Sequence, residues 1–154
     1  MGGDDAPALG VDPRRVVLVG HSVGAQLAAM CLVPPAPVPV AGAVLLSGLY
    51  ELEPLLDTSV GAEVGLTAAE VAECGPARRL HAGLPPLVLA RGADEPAGFD
   101  AQQRLAVDRA TALGVPVTDL VVPGRNHFDL PLGLGDPDDP VGSAVHALAF
   151  AGGA

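Results

Sequence analysis

The pentapeptide Gly20-His21-Ser22-Val23-Gly24 is the stretch of the sequence with the clearest chemical meaning, because it matches the pattern G-x-S-x-G. An apolar, strand-like run precedes it and a helix-like run follows it. This context is typical of a nucleophile elbow, although an ordinary tight turn is the alternative. The pattern therefore predicts Ser22 as a nucleophile and the backbone N–H of Val23, at a helix start, as an oxyanion donor.

A serine hydroxyl needs a general base, and the sequence offers four histidines. His127 lies in "PGRNHFDL", just after a predicted strand, where a loop can reach across the carboxyl edge of a parallel sheet. His21 is adjacent to Ser22 and is expected to point elsewhere. His81 lies in a polar loop and His146 inside the last predicted helix. Position therefore favours His127 as the base.

The acid that orients the base is expected after the third strand, since hydrolases of this type have the chain order Ser, acid, His. The segment "ARGADEPAGFD" supplies three carboxylates there. Glu95 is favoured by spacing, because it stands three residues past Gly92, which ends the strand. Asp94 is favoured by residue type, and Asp100 is a third option. Both Glu95 and Asp94 remain candidates at this point.

The elements that must position these residues alternate along the chain. The pattern predicts strands at 15–19, 40–46, 86–90 and 117–122, and helices at 22–32, 67–74, 99–113 and 141–150. Thr67 is a plausible N-cap, and the proline-rich segment 34–39 predicts a loop. Strands that alternate with helices indicate one α/β domain, with a mostly parallel sheet of about four strands and flanking helices.

Composition limits the partners that the chain can have. The 154 residues are 49% apolar but only 3% aromatic, and 8 basic residues stand against 18 acidic ones. The net charge of −10 argues against nucleic acid and against an anionic membrane surface. No signal peptide or transmembrane segment is expected. Cys31 and Cys74 lack CxxC spacing, and Cys31 is expected to be a buried free thiol, so we expect a cytoplasmic location.

Four stretches give the chain a resemblance to a known family: "DPRRVVLVGHSVGAQLAA", "SGLYELEPLL", "PPLVLARGADEPAGF" and "VVPGRNHFDL". From about residue 11 onward, the chain resembles the kynurenine formamidase (arylformamidase) branch of the α/β-hydrolase fold. The resemblance implies hydrolysis of a small molecule, N-formyl-kynurenine, to kynurenine and formate, without metal or cofactor. It implies Ser22 as nucleophile, His127 as base, and Glu95 or Asp94 as acid.

The chain also departs from the family pattern. Val23 is larger than the residue usual there, and residues 74–76 read Cys-Gly-Pro where Ser-Pro is usual. The first strands and the His-Gly-Gly oxyanion segment of the family are absent, so residues 1–154 are expected to form a partial α/β-hydrolase domain. A catalytically impaired fragment and a generic carboxylesterase are the alternatives. The strand at 15–19 would expose a free edge, which predicts self-association.

Overall fold

Four strands form a single parallel sheet in the order β1-β2-β3-β4. The structure is a computed structural model, and it describes residues 10–12, 15–35 and 37–150. The strands are β1 (Val17–His21), β2 (Gly42–Leu46), β3 (Leu87–Gly92) and β4 (Val117–Val122). In the register of the sheet, Leu46 lies opposite His21 and Ala90. The segments that follow β1, β2 and β3 therefore leave the sheet at the same edge.

Within the described ranges, five α-helices connect and flank the strands. They are α1 (Val23–Cys31), α2 (Ser59–Val64), α3 (Ala68–Cys74), α4 (Ala97–Ala112) and α5 (Pro140–Phe150), with 3₁₀ turns at Glu53–Leu55, Pro76–Arg79 and Leu130–Gly135. The α/β fold predicted from the sequence, with a parallel four-stranded sheet, is confirmed. Among the helices of the described residues, none combines the length and the apolar character needed to cross a membrane.

The core has two layers because successive side chains of a strand point to opposite faces of the sheet. In β2, Leu45 packs on the face covered by α1 and α4, where the core is rich in small residues such as Ala25 and Ala106. Val44 and Leu46 point to the other face, against Val141 of α5. Because β2 is buried on both faces, it reads in the sequence as a continuous apolar run.

The first strand lies at an edge of the described sheet, as the sequence analysis expected. β1 pairs only with β2 among the described strands, and Val19 is 37% exposed. The helix that follows also exposes Val23 and Leu27. Cys31, four residues further along the same helix face, is exposed too, so the expectation of a buried thiol was wrong. The β1 edge and Cys31 are exposed because the described chain covers neither the strand edge nor this face of α1.

Element boundaries differ from the predicted ones by at most two residues, and β4 matches fully. Thr67 caps α3 as predicted: its side chain accepts from the N–H of Glu70, and the Glu70 carboxylate accepts from the N–H of Thr67. The sequence pattern predicts no helix or strand between residues 47 and 66. The structure has the 3₁₀ turn Glu53–Leu55 and the helix α2 there, and Thr58 caps the start of α2. The six residues of α2 are too few to show a helical apolar period.

Candidate active site

Ser22 occupies a sharp turn between β1 and α1. Its backbone has φ 57° and ψ −122°, a left-handed region that costs a non-glycine residue about 1–3 kcal/mol. The turn is held by hydrogen bonds on both sides: the N–H of Ser22 donates to the carbonyl of Leu46 (2.9 Å), and its own carbonyl accepts from Ala25 (3.0 Å). The strained backbone is thus fixed by β2 and by the first turn of α1.

The two glycines that flank the elbow have different roles. A Cβ at Gly20 would overlap the backbone carbonyl of Gly24, so the turn can close only with glycine at position 20. A Cβ at Gly24 would meet no atom of the described residues within 4 Å. The first glycine of the motif is therefore a steric requirement of this turn, and the second is not one in the described chain.

The structure brings three predicted site residues into one hydrogen-bonded series. The His127 Nε2 lies 3.1 Å from the Ser22 Oγ, and the His127 Nδ1 lies 3.1 Å from the Glu95 Oε2. A proton on Nδ1 can donate to the carboxylate, which leaves the Nε2 lone pair to accept the serine proton. These residues are far apart in the chain, and they meet because each follows a parallel strand at the same sheet edge.

Of the three carboxylates considered, only Glu95 reaches the imidazole. Asp94 is exposed to solvent, and its N–H donates to the carbonyl of Arg125 (3.0 Å). Asp100 pairs with Arg91 (2.7 Å) and Arg104 on the α4 side. The expectation based on residue type, which favoured Asp94, therefore does not match the geometry. The turn after β3 explains the choice, because the Glu95 Oε1 accepts from the N–H of Gly92 three residues earlier (2.8 Å).

Ser47 is a contact of the acid that sequence reasoning did not identify. Its Oγ donates to the Glu95 Oε1 (2.5 Å), and its side chain is almost wholly buried. Ser47 follows β2, has φ 48°, and donates its N–H to the carbonyl of Ala90 (2.7 Å). The Glu95 side chain is completely buried, so its carboxylate needs these donors as well as His127. The sequence signal that could have identified Ser47 is its position directly after β2, the strand that lies between β1 and β3.

Three rings surround the imidazole of His127. The ring centroids lie 4.6 Å away for His21, 4.5 Å for Phe99 and 5.5 Å for Phe128. His21 was expected to point elsewhere, but it packs against His127 because β1 ends at the same sheet edge. Burial, and then the nearby His127, lower the pKa of His21 below its ordinary 6.5. A neutral ring is consistent with its buried Nε2, which has no hydrogen-bond partner in the described chain.

Val23 is the first residue of α1, so its N–H is one of those that a helix start leaves without an acceptor inside the helix. Such groups favour negative charge through the helix dipole. The Val23 side chain is 55% exposed and does not fill the core. The arrangement can therefore transfer a proton from Ser22 to His127 and offer a backbone donor directly after the nucleophile.

Solved structures of hydrolases share this fold. Esterase 2 of Thermogutta terrifontis has a TM-score of 0.64 at 24% identity, over 96% of this chain and 57% of that one. An acetyl ester-xyloside bifunctional hydrolase of Caldicellulosiruptor lactoaceticus has a TM-score of 0.72 at 19% identity, over 96% and 60%. A protein of Silicibacter sp. described as a thioesterase has a TM-score of 0.75 at 23% identity, over 92% and 53%.

At these identities the likeness establishes the fold alone, and the chain spans little more than half the length of each of these proteins. No curated protein sequence matches the chain. The family model described as "Serine hydrolase" matches residues 6–139, which is most of the chain and includes all three residues of the hydrogen-bonded series. The chain belongs to the serine hydrolase family.

Proposed function

We propose that this chain hydrolyses a carboxylic ester or formamide bond by covalent catalysis, with Ser22 as nucleophile, His127 as general base and Glu95 as the orienting acid. The observation that carries the proposal is the continuous series from the Ser22 Oγ through His127 to the Glu95 Oε2, with 3.1 Å at each step. Serine alone is a weak nucleophile, and a base within hydrogen-bond reach is what activates it.

In the proposed reaction the Ser22 Oγ attacks the carbonyl carbon while His127 Nε2 takes the hydroxyl proton. The tetrahedral oxyanion lies near the N–H of Val23. Collapse breaks the bond to the leaving oxygen or nitrogen, which receives the proton from His127. A water then attacks the acyl-enzyme with His127 again as base, and the acid is released. Glu95 accepts a hydrogen bond from the Nδ1 proton and so holds the imidazole in its orientation.

Two substrate classes follow from different observations. The motifs "SGLYELEPLL" and "PGRNHFDL" support the kynurenine formamidase branch, whose substrate N-formyl-kynurenine yields formate and kynurenine. The solved structures that share the fold include esterases, which supports carboxylic esters of the kind a generic carboxylesterase accepts. We propose these two classes, formamides and carboxylic esters, as the alternative substrates of the site.

Turnover of p-nitrophenyl acetate and of N-formyl-kynurenine by the same preparation tests the proposal. Ester hydrolysis is expected to require Ser22, so Ser22→Ala should reduce kcat to background, whereas Ser143→Ala, a change at an exposed serine of α5, should leave it unchanged. Faster formamide than ester turnover would favour the arylformamidase branch. If a fluorophosphonate labels Ser22 but neither substrate is turned over appreciably, the catalytically impaired alternative is favoured. Equal turnover by Ser22→Ala and the parent would refute the proposal.

A further inference from the structure

An apolar cavity of about 280 Å³ lies next to the candidate site. One wall comes from the segment after β2, with Leu49, Pro54 and Leu55. The opposite wall comes from the loop that carries Glu95 and from the start of α4, including Phe99. The cavity is thus lined by the same two segments that supply Glu95 and Ser47.

The polar side chains of the cavity wall are occupied by the protein itself. The Gln102 Oε1 accepts from the backbone N–H groups of Tyr50 (2.8 Å) and Glu51 (2.9 Å), and its Nε2 donates to the Glu51 carbonyl (2.7 Å). The Thr58 hydroxyl donates to the Leu55 carbonyl (2.7 Å) and accepts from a backbone N–H. These groups are already paired, and none of the lining residues that the structure describes is charged. The cavity therefore suits an uncharged apolar group.

Phe99 connects the cavity to the chemistry. Its ring lines the cavity and packs on the imidazole of His127, with centroids 4.5 Å apart and an interplanar angle of 32°. In the proposed reaction His127 delivers a proton to the leaving atom, so the leaving group must lie beside this imidazole. An apolar substituent on that leaving group would then contact the Phe99 ring and extend into the cavity that Phe99 lines.

We propose that this cavity binds the apolar alcohol part of an uncharged ester, with Phe99 as the wall that it shares with His127. The inference rests on the proposed function and specifies its substrate class. A cavity of about 150 Å³ accommodates benzene, so about 280 Å³ accommodates a substituted aryl ring or an alkyl chain of several carbons. The charged amino-acid end of N-formyl-kynurenine would find no charged partner among the lining residues.

Two ester series test the assignment on the full chain. Acetates of methanol, butanol and hexanol vary the alcohol, and methyl esters of acetic, butyric and hexanoic acid vary the acyl group. Each methylene buried in an apolar site is expected to raise kcat/KM about fourfold until the cavity is full. We expect this rise in the alcohol series. A flat alcohol series beside measurable methyl acetate hydrolysis, or a rise confined to the acyl series, would overturn the assignment and leave the proposed function intact.

A cavity-filling variant sharpens the test. Ala101→Leu places three more carbons at the cavity wall on α4, and Ala112→Leu makes the same change at an exposed position near the other end of that helix. Ala101→Leu should lower kcat/KM for hexyl acetate about tenfold and leave methyl acetate unchanged. Ala112→Leu should match the parent on both. Equal effects of Ala101→Leu on both esters would contradict the assignment. Hydrolysis of N-formyl-kynurenine but of no ester by the parent would overturn this assignment alone, and hydrolysis of neither substrate class would overturn the proposed function as well.

Discussion

Removal of the Ser47 hydroxyl is expected to weaken catalysis by releasing the acid. The Ser47 Oγ and the Gly92 N–H are the two donors to the Glu95 Oε1, and the other oxygen of Glu95 faces His127. A hydrogen bond to a charged group contributes about 1.5–3 kcal/mol. Ser47→Ala should therefore lower the free energy of unfolding by about 2 kcal/mol. If the orientation of the acid suffers in proportion, kcat should fall about ten- to a hundredfold.

Ser47→Gly separates the lost hydroxyl from the backbone conformation. Ser47 has φ 48°, which costs a residue with a Cβ about 1–2 kcal/mol and costs glycine nothing. Glycine loses about 0.5–1 kcal/mol through its extra freedom when unfolded. Ser47→Gly should thus be as stable as Ser47→Ala or up to about 1.5 kcal/mol more stable, yet lose the same activity.

Urea unfolding combined with steady-state kinetics measures both effects. We expect both variants to lose kcat with KM nearly unchanged, because Ser47 acts through Glu95 and not through substrate binding. Parent-like kcat in a folded Ser47→Gly variant would refute the reasoning. A change confined to KM would also refute it, because that would place the hydroxyl in substrate binding.

Four further predictions follow from the same structure. Gly20→Ala should abolish activity and destabilise the fold through the clash with the Gly24 carbonyl, whereas Gly24→Ala should fold normally; equal melting temperatures for the two variants would contradict this. Glu95→Gln should lower kcat far more than Asp94→Asn, because only Glu95 contacts the base, and kinetics with the roles reversed would be incompatible with the geometry. Because folding lowers the pKa of His21, its imidazole is protonated more readily in the unfolded chain than in the folded one as pH falls. The neutral His21 ring therefore contributes to the free energy of unfolding above pH 6.5, and this contribution is lost as pH falls below that value. His21→Phe should unfold with less acid sensitivity than the parent, and an unchanged pH dependence would count against the effect. We also propose that the edge of β1 that no described strand pairs with, which includes the predicted segment 15–19, pairs with a second copy of the chain. Val19→Lys should then lower the mass measured by light scattering, and a monomeric parent would exclude this pairing.

The fold could be predicted because its signals are local. Buried parallel strands such as β2 read as short apolar runs, and the glycine pattern around Ser22 marks a strand-to-helix turn. The Thr67 capping box marks the start of α3 in the same way. Each of these patterns spans only a few residues, so the structure that it indicates can be predicted from the sequence alone. The exposed edge of β1 depends on its neighbours in the sheet, so it was expected from the comparison with the family pattern and not from a local signal.

The site was only partly predictable, because its contacts join distant segments. Motif and position could predict that Ser22 and His127 lie together, but which of Glu95 and Asp94 reaches His127 depends on which way the turn after Gly92 directs each side chain. The contact from Ser47 depends on the neighbouring strand. The spacing of three residues from Gly92 predicted the carboxylate that contacts His127 better than residue type did, because the hydrogen bond from the Gly92 N–H to Glu95 positions that side chain.

Covalent labelling with a fluorophosphonate tests the central claim most directly, because it reports the activated nucleophile and does not depend on the choice of substrate. Peptide mass spectrometry should find the adduct on Ser22 in the parent chain and on none of Ser47, Ser59 and Ser143. His127→Ala should be labelled at least a hundredfold more slowly, since the base at 3.1 Å is then lost. An adduct on another serine, or labelling of Ser22 at the same rate without His127, would contradict the account.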